Sequence, residues 1–162
     1  MPDVISNSSP LQYLHQAGVL HLLPALFGQV CVPDAVVAEL EEGRRRGVSL
    51  PVLADLSWLQ VRTVRRPELV PLVTHLGDGE KEVLALGREL PDVLLLLDDR
   101  DARRHAHALE LEISGTLGVL LVAKERGILE AVRPVLDRLQ AMRFHLDART
   151  RQIVLKLAGE ET

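Results

Sequence analysis

Five consecutive apolar residues, Val93–Leu97, run directly into the adjacent aspartates Asp98 and Asp99, and no other stretch restricts the fold of this chain so much. The run is too short to cross a bilayer and too uniformly apolar for a strand with one wet face. It predicts an interior parallel strand buried on both sides, with the two carboxylates where the strand leaves the sheet. In open parallel sheets, ligands bind in the crevice beyond the carboxyl ends of the strands. Neighbouring carboxylates there repel each other, and a divalent metal is the usual reason to find them together.

The remaining sequence alternates strands and helices as such a sheet requires. Further strands are expected at Val4–Ser6, Gln29–Val32, Leu59–Val64 and Glu112–Ser114. Helices are expected at Pro10–Gln16, with Ser9 as N-cap, and at Leu20–Phe27, Pro33–Glu42, Pro67–His75, Gly79–Leu90 and Asp101–Leu109. Three more follow: one from the cap residue Thr116 to Arg126, then Leu129–Ala141 and Asp147–Leu157. Arg44–Leu50 reads as a basic, Gly-containing loop and the best candidate for a mobile segment. The predicted fold class is α/β: a three-layer α/β/α sandwich on a central parallel sheet of four or five strands. One domain is expected over residues 1–162, with the helices from about residue 129 as an extension. The helices after Thr116 either cover the sheet or form a dimer surface.

Charge and composition narrow the function. The net charge of −4 argues against a general high-affinity DNA binder. Small basic groups stand out locally at Arg44–Arg46, at Arg65–Arg66, and at Arg100, Arg103 and Arg104. With 2% aromatic residues, a base-stacking platform is not expected. The lone Cys31 excludes an internal disulfide framework, suits a reducing cytoplasm and reads as a core strand residue. No signal peptide and no membrane span are expected, so the predicted location is cytoplasmic.

The acids at strand ends and helix starts form a constellation. Glu39 lies on the helix after the second strand, with Val36, Val37 and Leu40 marking its buried side. Glu80 lies in the first turn of the helix opened by Asp78-Gly79. Asp98 and Asp99 end the apolar strand, with Asp101 just beyond, and Asn7 stands at the end of the first strand between Ser6 and Ser8. Taken singly, Glu39 with Glu41 and Glu42 makes a solvated helix end, Glu80 complements a helix dipole, and the aspartates cap the next helix. Taken together they need a cation, because two carboxylates about 5 Å apart repel by about 3 kcal/mol at an effective dielectric of 20. Oxygen-rich sites select Mg²⁺ or Mn²⁺, and such ions support phosphodiester hydrolysis without a Ser, Cys or His nucleophile. The histidines give no zinc signature: His105 and His107 are two apart and face different ways, and His15, His21, His75 and His145 lack ligand spacing.

Several short motifs together carry a family resemblance. They are Ser6-Asn7-Ser8-Ser9-Pro10-Leu11, then Leu22-Leu23-Pro24 with Leu26-Phe27-Gly28, and Val32-Pro33 with Val36 and Glu39-Leu40. Gly79-Glu80 with Glu82, the stretch Leu96–Arg103 and Gly115–Leu120 continue the set. The chain resembles the PIN-domain superfamily, in particular PIN-like proteins related to the VapC-type toxin ribonucleases. The resemblance implies a metal-dependent site with Glu39, Glu80 and Asp99 as catalytic acids and Asp98 as a further ligand of Mg²⁺ or Mn²⁺. The family's first-strand aspartate falls on Asn7, which keeps a carbonyl oxygen but brings no charge. Ser8, Arg44, Arg45, Arg100 and Arg103 are the candidate RNA contacts, and an antitoxin protein and a second copy of the chain are the implied partners. The function expected is a toxin–antitoxin-type endoribonuclease with a degraded acidic site; the alternative is a catalytically inactive PIN-like module that binds RNA or a protein partner. A receiver-like or nucleotide-binding protein is a third reading, since paired aspartates also mark phosphoacceptor sites. It lacks a Gly-rich phosphate loop and a Walker-type lysine.

Overall fold

The computed structural model describes residues 2–72 and 74–161. Met1 and Thr162, the ends of the expected 1–162 unit, lie outside the described residues, as does Val73 of the expected Pro67–His75 helix. Five short strands, β1 (Asp3–Ser6), β2 (Val30–Val32), β3 (Leu59–Val61), β4 (Val93–Leu96) and β5 (Glu112–Ser114), form one sheet in the order β3-β2-β1-β4-β5. Every pairing is parallel, with Ile5 opposite Cys31 on one side and Leu95 on the other. β4 is interior, between β1 and β5, and Val93, Leu95 and Leu96 are buried as its apolar run requires. Cys31 is buried in β2.

Among the described residues eight α-helices connect and cover the strands: α1 (Ser8–Gln16), α2 (Leu22–Phe27), α3 (Asp34–Arg45), α4 (Asp78–Glu89), α5 (Arg100–Ala108), α6 (Thr116–Glu125), α7 (Arg133–Ala141) and α8 (Ala148–Leu157). α4 packs on β1 and β4 and is flanked by α3 and α5, while α1, α2 and α8 gather around α6. The result is the three-layer α/β/α sandwich on a parallel sheet. The core is aliphatic, with Ile5, Leu11, Leu14, Leu84, Leu95 and Leu120 among its fully buried side chains. Burying one such side chain is worth about 1.5–3 kcal/mol. Val135, Leu136, Leu139, Val154 and Leu155 belong to the same cluster, so α7 and α8 cover the core. Among the described residues no helix is long and apolar enough to cross a membrane.

Several boundaries differ from expectation for local reasons. Asn7, not Ser9, occupies the N-cap of α1, and Pro10 sits in the first turn, where a missing N–H costs nothing. α3 runs through Gly43 to Arg45, so Arg44 and Arg45 are helical; the left-handed residue that ends the segment is Gly47, with φ 87°. A single 3₁₀ turn, Pro67–Leu69, stands where a longer helix was expected. Gly115 rather than Thr116 caps α6.

The sheet order places the site. β1 connects to β2 on one side and pairs with β4 on the other, so the direction of winding reverses beside β1. The crevice at such a reversal lies beyond the carboxyl ends of the strands, where Asn7 follows β1 and Asp98 and Asp99 follow β4.

Candidate acidic site and its basic flank

Asn7 is held by its backbone. Its N–H donates to Leu96 O at 3.1 Å, which fixes the end of β1 against the end of β4. Its side chain is 6% exposed, does not cap α1, and leaves Oδ1 buried without a hydrogen-bond partner. An unpaired buried acceptor costs about 1–3 kcal/mol. Asn7 thus brings a neutral, unpartnered amide oxygen to the end of β1.

The two aspartates after β4 do different work. Asp98 turns inward: its Oδ1 accepts from Thr116 N and its Oδ2 from Thr116 Oγ1, both at 2.7 Å. Thr116 therefore serves Asp98 and not its own helix. Gly115 permits this approach, because a Cβ there would lie 2.7 Å from Asp98 Oδ1 and 3.0 Å from Leu97 O. Arg103 donates to Leu97 O at 2.9 Å alongside. Burial pushes the Asp98 carboxyl up, against the pull of the two Thr116 donors and the Arg103 charge. Asp99 is exposed and caps α5, its Oδ2 accepting from Ala102 N at 2.9 Å.

Glu80 approaches Asp99 from α4, and Glu39 on α3 lies beside Glu80. Glu80 reaches back to accept from Gly77 N at 2.9 Å, and Glu39 accepts from the Ser8 hydroxyl at 3.4 Å. A Cβ on Gly77 would lie 3.6 Å from Glu80 Oε1 and 3.9 Å from Glu39 Oε2. Gly79 has no side chain because Glu39 lies where its Cβ would be. Burial first, then the charges of Asp99 and Glu39 and the side-chain approach of Asp99, raise Glu80 above the ordinary carboxylate value, against the pull of the Gly77 N–H. Glu39 is raised by burial and by Asp78 and Glu82, while Ser8 and Gly79 donate against the shift. Glu82 itself accepts from Ala35 N at 3.0 Å and ties α4 to the start of α3. Asp101 lies in the first turn of α5 and pairs with Arg104 at 3.5 Å.

The fold thus gathers Glu39, Glu80, Asp99 and Asn7 at one crevice and assigns Asp98 to holding α6. As arranged, the donors do not fit a fully ligated Mg²⁺ or Mn²⁺. Among the described residues no three His, Cys, Asp or Glu side chains converge to hold an ion. Each of the three carboxylates already accepts from a protein donor, and the fourth position is a neutral amide.

These carboxyl groups set a pH dependence. Glu39, Glu80 and Asp98 have native values above the unfolded ones, so their contribution is complete below the ordinary carboxylate range, near 4, and is lost as pH rises through the native values. Glu160 runs the other way. Despite the cost of burial, the N–H groups of Val132 and Arg133 and the Lys124 ammonium hold it low, and its contribution is lost as pH falls through that lowered value. The expected stability maximum is therefore mildly acidic. In thermal melts, Tm should rise from pH 7 towards about 5, and Glu80→Gln should flatten that rise. A Tm that falls steadily over this interval would contradict the assignment.

Beside the acids lies a cleft of about 940 Å³, bordered by Asp98 and Asp99. Arg100, Arg103 and Arg104 of α5 line it, as do Arg143 and His145 between α7 and α8. Tyr13 and Phe144 meet edge to face at its wall, with ring centroids 4.9 Å apart, and the Tyr13 hydroxyl donates to Arg143 O at 3.4 Å. Arg45 and Arg46 lie elsewhere and share Glu42 at 3.1 and 2.9 Å. Arg143 and His145 were not among the expected RNA contacts, although the interleaved Arg143-Phe144-His145 was the available signal.

The family model of the PIN domain matches residues 3–160. No curated protein and no solved structure matches the chain. The match spans β1 to the end of α8 and includes every element that carries the crevice. The chain belongs to the PIN-domain family.

Proposed function

We propose that this protein is a PIN-type module that binds single-stranded RNA, its phosphate backbone lying in the arginine cleft and its acidic centre catalytically silent. The observation that carries this reading is the cleft itself. Arg100, Arg103 and Arg104 of α5 line it together with Arg143, and it is bordered by Asp98 and Asp99. Phosphodiester backbones are held chiefly by such contacts, and the affinity they give falls steeply with salt. With a net charge of −4, the attraction is local to this face. Arg100 and Arg103 line the cleft; Ser8, Arg44 and Arg45 would meet RNA only on its way across the acids towards α3.

The test is fluorescence anisotropy of labelled RNA oligonucleotides at several salt concentrations. Replacing Arg104 and Arg143 by glutamate should weaken binding about tenfold or more. It should also reduce the slope of log K against log salt by roughly one for each arginine–phosphate pair removed. Unchanged affinity and slope would refute the proposal; binding of a protein in place of RNA would favour the partner-binding form of the module.

A second reading, a weak Mg²⁺- or Mn²⁺-dependent endoribonuclease of the VapC type, paired with an antitoxin and acting as a homodimer, is favoured by one observation. Asp99 and Glu39 lie close enough to Glu80 to add to the burial that raises it. Restoring the missing charge at Asn7 separates the two readings.

A further inference from the structure

Away from the acids and the arginine cleft, two histidines 30 residues apart in sequence come together. His75 lies in the segment leading to α4 and is exposed; His105 is on α5 and half-buried. Their Nε2 atoms face each other at 3.4 Å, with ring centroids 5.4 Å apart and planes inclined by 37°. A direct N–H···N bond between two neutral rings would sit nearer about 2.9–3.0 Å, the usual distance for nitrogen donors. Zn²⁺ binds imidazole nitrogens at about 2.0–2.1 Å in tetrahedral geometry, which sets two neighbouring ligand nitrogens about 3.3–3.4 Å apart. The two rings already have that spacing.

We propose that His75 and His105 form a two-histidine site for a borderline divalent transition metal such as Zn²⁺. Two imidazole nitrogens favour Zn²⁺, Co²⁺ or Ni²⁺ over Mg²⁺ and Mn²⁺, which prefer oxygen, so the site differs in chemistry from the acid crevice. Among the described residues no third His, Cys, Asp or Glu completes it. Asp101, one turn before His105 on α5, is paired with Arg104 at 3.5 Å. Water fills the other positions, which makes the site weak and exchangeable.

Its placement gives it a regulatory consequence. The segment bearing His75 leads through Gly77 into the turn that presents Glu80, and His105 rides on the helix capped by Asp99. An ion held by both imidazoles ties together the two elements that bring Glu80 and Asp99 into contact. It does so whether or not the crevice hydrolyses RNA.

The test is a Co²⁺ titration of the full chain followed by visible d–d absorption, with Zn²⁺ as competitor and Tm as a second readout. Wild type should take up one equivalent in a saturable step that shifts the Co²⁺ visible bands from those of the aquo ion, lose it to Zn²⁺ and gain Tm. His75→Ala and His105→Ala, checked for folding by circular dichroism, should each abolish both effects. Absorption that persists in both variants but disappears in Asp99→Asn would assign the ion to the acid crevice and overturn the proposal. So would a wild-type titration with no shift of the visible bands and no gain in Tm, which would leave the two rings as a hydrogen-bonded pair.

Discussion

Asp98→Ala should destabilise the protein by about 3–5 kcal/mol, as expected when one partner of a buried charged hydrogen-bond pair is removed. The substitution strips acceptors from both the N–H and the hydroxyl of Thr116, a residue that is 0% exposed and has no water to replace them. It also removes the negative charge beside Arg103, whose guanidinium is already fixed on Leu97 O. Urea denaturation measures the loss directly, and Tm should fall by about 10 °C, at roughly 2–4 °C per kcal/mol for a chain of this size. Asp99→Ala should cost only about 1 kcal/mol, the usual worth of an N-cap, because Asp99 is exposed and accepts one N–H from its own helix. Equal losses at the two adjacent positions would contradict the division of labour between them. Asp98→Asn should fall between, since an amide can keep one acceptor on the Thr116 N–H while the hydroxyl reverses to accept from its NH₂.

Asn7→Asp should have the second large effect, and its sign should depend on the medium. In chelator, the substitution places a fourth carboxylate at a position 6% exposed, among acids whose protons are already held high by burial and mutual repulsion. At about 3 kcal/mol for each like pair near 5 Å, the expected loss is about 2–4 kcal/mol. Millimolar Mn²⁺ should recover that loss in the variant and leave wild type nearly unmoved, because a ligand stabilises the folded state in proportion to how tightly it binds there. Calorimetric Mn²⁺ titration of wild type, Asn7→Asp and Asp99→Asn gives the affinity, and cleavage of labelled RNA gives the activity. RNA cleavage by wild type with Mn²⁺, abolished by Asp99→Asn, would establish the nuclease reading and end the silent one. If Asn7→Asp binds no Mn²⁺ and cuts no RNA, loss of the first-strand charge is not what silences the centre.

Fold and site were legible in the sequence to different degrees, for identifiable reasons. The sheet could be read because a parallel strand buried on both faces leaves an uninterrupted run such as Val93–Leu97, and because β5 fills Glu112–Ser114 as its pattern indicated. β3 was read too long. Beyond Val61 only the Arg62 N–H still reaches Val32 O, at 2.9 Å, so apolar alternation outlasts the ladder. The end of α3 was misread because a glycine stops a helix only where the backbone turns left-handed, which happens at Gly47 and not at Gly43. Within the crevice, residue type and place were legible for Glu39, Glu80, Asp98, Asp99 and Asn7, but not which of the twin aspartates turns inward. That choice is made by Thr116, 18 residues after Asp98, and by the missing side chain of Gly115. Arg143 in the same cleft as Arg104, and His75 against His105, carry no periodic signal, because such meetings are made by the tertiary fold alone.

The strand order also has a consequence in time. β1, the central strand, is synthesised first, yet one of its edges pairs with β4, Asp3 against Val93 and Ser6 against Leu96. Ribosomes add about 5–20 residues per second, so that edge stays open for several seconds while β2, β3 and α4 emerge. Non-local parallel pairing of this kind also folds slowly, because loop closure must precede its reward. The crevice therefore has no existence in a half-made chain: Asn7, Glu39 and Glu80 are all present before Asp99 leaves the ribosome, but nothing holds them together. Whatever this centre binds, it can bind only after β4 has docked, and until then the nascent protein is inert at its own site and vulnerable at its central strand.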